Sequence, residues 1–190
     1  MRICFDVSCN LYKPKEDGFF CEPDQARIYF LDKTRRPRFN AASAFDDSHG
    51  QYLDFTDRNE LFECLAEADE LVTFNGRLYD LVALELLMGE DRAKILWGKC
   101  HHDLCGWRDS FSLDAAVNAV LPNLAPSFES IRAQRELDLR NAGMDEFFAI
   151  RLANTYRDCR CTYALFQRYL KSGDSDRTFF DSNLTPLNLL

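Results

Sequence analysis

Glycine is scarce in this chain, 8 residues in 190, and no glycine-rich phosphate loop or strained nucleophile turn can be assembled from it. Long apolar runs are missing as well: none approaches the roughly 18 uncharged residues that a membrane span needs. The opening residues Met1-Arg2-Ile3-Cys4-Phe5-Asp6 carry charge early and no long apolar stretch, so no signal peptide is expected. Positive charge is in deficit, with 23 basic against 31 acidic residues and a net charge of -8. Proteins that live by phosphate contacts are usually basic. The balance therefore argues against a simple nucleic-acid coat, though not against an enzyme that meets phosphate through bound metal ions. No internal repeat or low-complexity tract occurs.

What is present fits one globular domain. A chain of 190 residues leaves little room for a second full core. Its 46% hydrophobic and 28% charged residues exclude disorder throughout. Eight cysteines without an export signal point to reduced, mostly buried thiols and a cytoplasmic setting, although an even count is also compatible with bridges.

The periodicity predicts strands over 2–8, 26–32, 51–56, 70–75 and around 100–104. The stretches 10–25 and 33–50 are polar and read as open connections. Asp57 is placed to cap a helix running to about Ala68. Further helices are predicted over 79–88, stopped by Gly89, over 112–120, and from about Asp145 to Lys171, ended by Gly173. Three strands in series favour an antiparallel meander, and the later alternation favours parallel pairing. The expected architecture is α/β: a mixed five-stranded sheet with helices on both faces, spanning 1–172, followed by a tail at 173–190.

Three carboxylates stand out. Asp6 interrupts the apolar first strand, where a charge is costly unless solvated, paired or bound to a cation. Asp80 opens a helix after Phe74-Asn75-Gly76-Arg77-Leu78-Tyr79, and Asp158 lies in the last helix ahead of Leu165-Phe166. Singly, each has an ordinary reading as a strand-end, helix-start or solvated helix acid. Together, in order and in kind, these blocks resemble those of the DEDD-type 3′–5′ exonucleases of the ribonuclease H-like superfamily. His102-Asp103-Leu104 and Ser112-Leu113-Asp114-Ala115 resemble that family's intervening segments. The resemblance implies a ribonuclease H-like fold and metal-dependent hydrolysis of phosphodiester bonds at single-stranded DNA or RNA ends. It also implies that Asp6, Asp80 and Asp158 hold two Mg²⁺ or Mn²⁺ ions about 4 Å apart, with Ser8, Asn75 and Tyr79 toward the substrate.

Two positions depart from the family pattern. Ser8 stands where a second carboxylate belongs, two residues after Asp6 on the same strand face, and removes a full negative charge. Asn154 stands one helical turn before Asp158, where the family has the Tyr or His of a general base. Tyr156 falls on a different part of the helix circumference and reads as core. Glu22, Asp24 and Asp54 are conceivable sources of the missing charge. The departures leave a second reading open, an impaired relative that keeps the fold for nucleic-acid or protein binding.

Two rival features are weaker. Cys100-His101-His102-Asp103-Leu104-Cys105 offers zinc-type ligands, but a strand would send neighbours to opposite faces. Lys33-Thr34-Arg35-Arg36-Pro37-Arg38 is the basic cluster, a solvated loop or an arm for phosphate.

Overall fold

Alternation along the first strand, β1 (Arg2–Cys9), sends Ile3 and Phe5 to one side and Cys4 and Asp6 to the other. Helices pack on both of those sides. The computed structural model describes residues 1–11, 23–33, 37–105 and 112–172. The other four strands are β2 (Phe39–Asp46), β3 (Gln51–Phe55), β4 (Glu70–Thr73) and β5 (Cys100–Asp103). They form one sheet in the order β3-β2-β1-β4-β5. β1 pairs antiparallel with β2 and parallel with β4; β2–β3 is antiparallel and β4–β5 parallel. The expected mixed five-stranded α/β sheet is therefore present.

Among the described residues there are seven helices: α1 (Pro23–Lys33), α2 (Arg58–Glu67), α3 (Asp80–Met88), α4 (Glu90–Trp97), α5 (Leu113–Val120), α6 (Ala125–Asn141) and α7 (Glu146–Ser172). Ile3, Phe5, Ala42, Ala44 and Leu71 meet Leu61 and Leu65 of α2, Leu81 and Leu84 of α3 and Leu96 of α4 in one apolar cluster. On the opposite face Cys4, Phe45 and Val72 meet Val117 of α5, Phe128 of α6, and Cys159, Leu165 and Phe166 of α7. Helices thus cover both faces, as expected. Asp57 caps α2 by accepting the Asn59 N–H at 2.6 Å, and Ser112 caps α5 through the Ala115 N–H at 3.1 Å. None of the helices is long and apolar enough to cross a membrane. The seven cysteines among the described residues are free thiols; Cys4, Cys159 and Cys161 are buried and Cys100 is exposed, so fewer are fully buried than expected.

The structure corrects the sequence reading in three places. Residues 26–32 form part of the helix α1 and not a strand. Ala26 and Phe30, one helical turn apart, are both buried, whereas Ile28 and Leu31 are exposed. A four-residue apolar run fits either period, and the helical one wins because it seats Phe30 on Tyr79, Val82 and Ala83. The second strand lies instead at β2, inside the expected open connection. Ala41 to Asp46 are all buried, so β2 has no polar face to alternate with. Finally, α4 and α6 were not expected. Only Phe128 of α6 is buried, and its surface is laced by ion pairs such as Arg132–Glu136 at 3.2 Å and Arg140–Glu136 at 2.8 Å. The expected tail at 173–190 lies outside the described residues.

A pair of substitutions separates the helical from the strand reading of α1. Phe30→Ala should cost about 3–5 kcal/mol in urea unfolding, and Leu31→Ala should change stability by no more than about 0.5 kcal/mol.

Candidate active site

The corner that carries the second block is built from its backbone outward. Asn75 has a φ of 63°, a left-handed conformation that asparagine tolerates better than most residues. Gly76 follows where any Cβ would stand 2.3 Å from the Thr73 Oγ1, so only glycine can pass. Buried Asp103, at the end of β5, accepts the N–H groups of Asn75 (2.6 Å), Arg77 (2.9 Å) and Cys105 (3.1 Å). Burial raises the Asp103 pKa, opposed by those three bonds. Beneath the corner, Thr73 Oγ1 and His101 Nε2 are 2.8 Å apart. His101 is buried, and burial pushes its pKa down to about 3, leaving a neutral imidazole.

This corner delivers buried Asp80 to the start of α3, where the helix dipole favours a carboxylate. Parallel pairing of β1 with β4 ends at Cys4–Val72, and β1 continues beyond it. Asp80 Oδ1 accepts the Val7 N–H there at 3.0 Å. The second-block carboxylate is thereby fastened to the strand that carries Asp6 and Ser8. Both of those are half-buried, two residues apart on one face, and the β1–β2 register shifts between Ser8 and Cys9. Tyr79 packs its ring on Phe30 at 5.5 Å, and burial raises its pKa.

α7 supplies the third block and lies on the Asp6 face of the sheet. Cys4 Sγ donates to the Cys159 carbonyl (3.5 Å) and Cys159 Sγ to the Cys4 carbonyl (3.2 Å). The Thr155 and Ser43 hydroxyls are 2.9 Å apart, and Ser43 is the cross-strand partner of Asp6. α7 therefore runs antiparallel to β1. Tyr156 packs on Tyr52 of β3 (4.9 Å), and Arg160 stacks on the same ring (4.8 Å). Tyr156 is half-buried, between core and surface. Asn154 and Asp158, one turn apart, fall on the opposite side of α7 from Tyr156.

Arg157 is the site residue that sequence reasoning missed. It is 13% exposed and hydrogen-bonds Asp158 Oδ1 at 2.6 Å. It also pairs with Asp114, and its Nε lies 3.0 Å from Glu129. Burial works against the guanidinium charge, but the bonds from Asp158 and Asp114 outweigh it and raise its pKa. Asp103 was passed over as well, although an acid at the end of a strand, in His102-Asp103-Leu104, was the available signal.

The donor set falls short of what two divalent ions require. Among the described residues no three His, Cys, Asp or Glu side chains gather as a group that could hold a metal. Ser43 pairs with Asp6 on one side and with Asp54 on the other, which sets Asp54 two strands from Asp6, about 10 Å away. Asp54 is also held by Arg135 and by the Ser43 hydroxyl at 2.8 Å. Asp24 pairs with Arg27 on α1, and Glu22 lies outside the described residues. In β5, His101 turns to Thr73 while His102 turns to Glu70 (3.3 Å) and the Phe166 ring (5.3 Å), so the two imidazoles do not converge. Residues 34–36 of the basic cluster also lie outside the described residues; exposed Arg38 is joined to Asn10 by reciprocal backbone and side-chain bonds just past β1. No family model, curated protein or solved structure matches the chain.

His101 makes the support beneath the corner sensitive to acid. Its folded pKa lies below the unfolded value of about 6.5, so its contribution is complete above that pH and is lost as pH falls toward 3. The stability difference between wild type and His101→Gln should shrink by up to about 1.4 kcal/mol per pH unit below pH 6. Urea unfolding at a series of pH values measures it; a constant difference would show that His101 is not held neutral.

Proposed function

We propose that this chain is an exonuclease-like domain with a ribonuclease H-like fold that holds single-stranded DNA or RNA ends, its hydrolytic site impaired. The observation that carries this reading is the bond from the Val7 N–H to Asp80. It unites the first and second blocks of the exonuclease pattern at one strand end. The strand order, three antiparallel strands followed by parallel β4 and β5, supports the same fold. Impairment is supported by Ser8, by Asn154, and by Arg157 on Asp158, the third-block acid. In an acidic chain a phosphate must find its cations locally, and Arg38 stands exposed beside Asn10 at the open end of β1.

A second reading, active metal-dependent 3′–5′ hydrolysis, is favoured by one feature: Asp6 and Asp80 flank the same strand end. Mg²⁺ or Mn²⁺ would then have Asp6, Asp80 and Asp158 as ligands and would supply charge stabilisation for phosphoryl displacement. The donor set described above does not reach that arrangement unaided.

A labelled single-stranded oligonucleotide, incubated with wild type in Mg²⁺ and in Mn²⁺, separates the readings. Binding at low salt with the oligonucleotide left intact is expected. Absence of binding overturns the proposal, and shortening that Asp80→Ala or Asp158→Ala abolishes establishes the second reading. Restoring the carboxylate with Ser8→Glu should tighten Mn²⁺ binding in calorimetry by about tenfold, or about 1.4 kcal/mol; an unchanged isotherm removes Ser8 from the site.

A further inference from the structure

The contacts of α7 give its register against β1. Thr155 stands level with Asp6 through Ser43, Cys159 stands level with Cys4, and Arg2 lies over the Phe166 ring at 5.0 Å. Four helical residues rise about 6 Å, close to the length of two strand residues at about 3.3 Å each. Arg151, one turn earlier than Thr155, therefore stands further toward the Ser8 end of the sheet, and Phe147 is a further turn back, at the start of α7.

Residues 147, 151, 154 and 158 are spaced four, three and four apart, so they share one stripe of α7. The stripe that carries Asn154 and Asp158 thus continues outward into Arg151 and Phe147. Arg151 is exposed, and its guanidinium lies over the Phe147 ring at 5.2 Å. Phe147 itself is 47% exposed, unusual for a phenylalanine, and meets Phe148 edge-on at 5.5 Å. Stacked on an aromatic ring, the guanidinium keeps its in-plane donors free for an anion. A bare ring beside a cation, in line with a phosphodiester site, matches the chemistry of an unpaired base and its phosphate.

We propose that Phe147 and Arg151 form a seat for single-stranded nucleic acid, Phe147 stacking on an unpaired base and Arg151 contacting the neighbouring phosphate. The seat rests on the nucleic-acid-end reading of the site. It adds substrate-binding residues at positions where no chemistry is required of them.

Fluorescence anisotropy with a labelled oligothymidylate, and with the same strand made abasic, tests the seat. Phe147→Ala should weaken binding of the base-bearing strand about tenfold, on the scale of one lost stacking contact. It should leave the abasic strand nearly unchanged, and Phe147→Trp should retain affinity. Arg151→Ala should lower the slope of log affinity against log salt by about 0.7. Because both side chains are exposed, circular dichroism of the variants should match wild type. If wild type binds neither strand, the reading of the site fails and the seat with it. If wild type binds but Phe147→Ala binds equally well, or loses both strands equally, the seat alone is overturned. Self-association of the free protein that Phe147→Ala abolishes also overturns it, since the ring then covers a second copy.

Discussion

The close approach of α7 to the centre of the sheet sets the rest of the structure. At its middle are two small polar side chains, Ser43 and Thr155, both buried and bonded to each other, with Asp54 as a further partner of Ser43. One turn along, Cys4 and Cys159 exchange thiol-to-carbonyl bonds. Sliding α7 by a turn would break the Ser43–Thr155 bond, leaving Ser43 with Asp54 and Thr155 with the Leu152 carbonyl, and would set Cys159 against a different strand residue. An apolar interface alone would tolerate that slide far better. The polar pair therefore acts as a register mark, and through it the positions of Asn154, Asp158, Arg151 and Phe147 relative to β1 are determined.

A second consequence concerns charge. The chain is acidic as a whole, yet Asp54 and Asp158 are each met by an arginine of α6 or α7. Arg135 of α6 holds Asp54, and Arg157 of α7 holds Asp158 with Asp114 and Glu129. The same arginines brace helix against helix, because Glu129 belongs to α6 and Asp114 to α5. Arg135 also lies over the Tyr156 ring at 5.2 Å. Charge pairing that serves packing of α5, α6 and α7 thus reaches into the candidate site. Asp80 is held differently, by the Val7 N–H of β1.

Legibility in the sequence followed physical cause. β1, β3, β4, β5, α2, α3, α5 and α7 were readable because alternation, caps at Asp57 and Ser112, and glycine stops left local marks. β2 was hidden: its run Ala41-Ala42-Ser43-Ala44 is buried on both faces and made of small residues chosen for close packing, not for strand propensity. α1 was misread because Ile28-Tyr29-Phe30-Leu31 satisfies two periods at once. α6 escaped because a helix with one buried residue has almost no apolar stripe. In the site, the corner from Phe74 to Asp80 was legible, since Asn75-Gly76 ahead of Tyr79-Asp80 resembles the second block of the exonuclease pattern. Asp103 was not, because what it accepts are backbone N–H groups, which leave no trace in residue type. Arg157 was missed for a different reason. The family pattern sets its base one turn before Asp158, whereas the residue that holds Asp158 is its immediate neighbour.

The two losses at the site are not equal. Arg157 is shared among three carboxylates, so Asp158 could exchange its arginine for another cation and still leave Arg157 with Asp114 and Glu129. A buried arginine deprived of all partners would be prohibitive, but one deprived of a single partner is not. Ser8 has no comparable reserve. Asp54, which lies in the row of Asp6 and not of Ser8, is two strands from Asp6 and tied to Arg135 and Ser43. Asp24 is committed to Arg27 on α1. The charge missing at residue 8 therefore cannot be recovered by rearranging these side chains, whereas the charge masked at residue 158 can. On the proposed reading, the hydroxyl at Ser8 is therefore the departure from the exonuclease pattern that weighs most against hydrolysis.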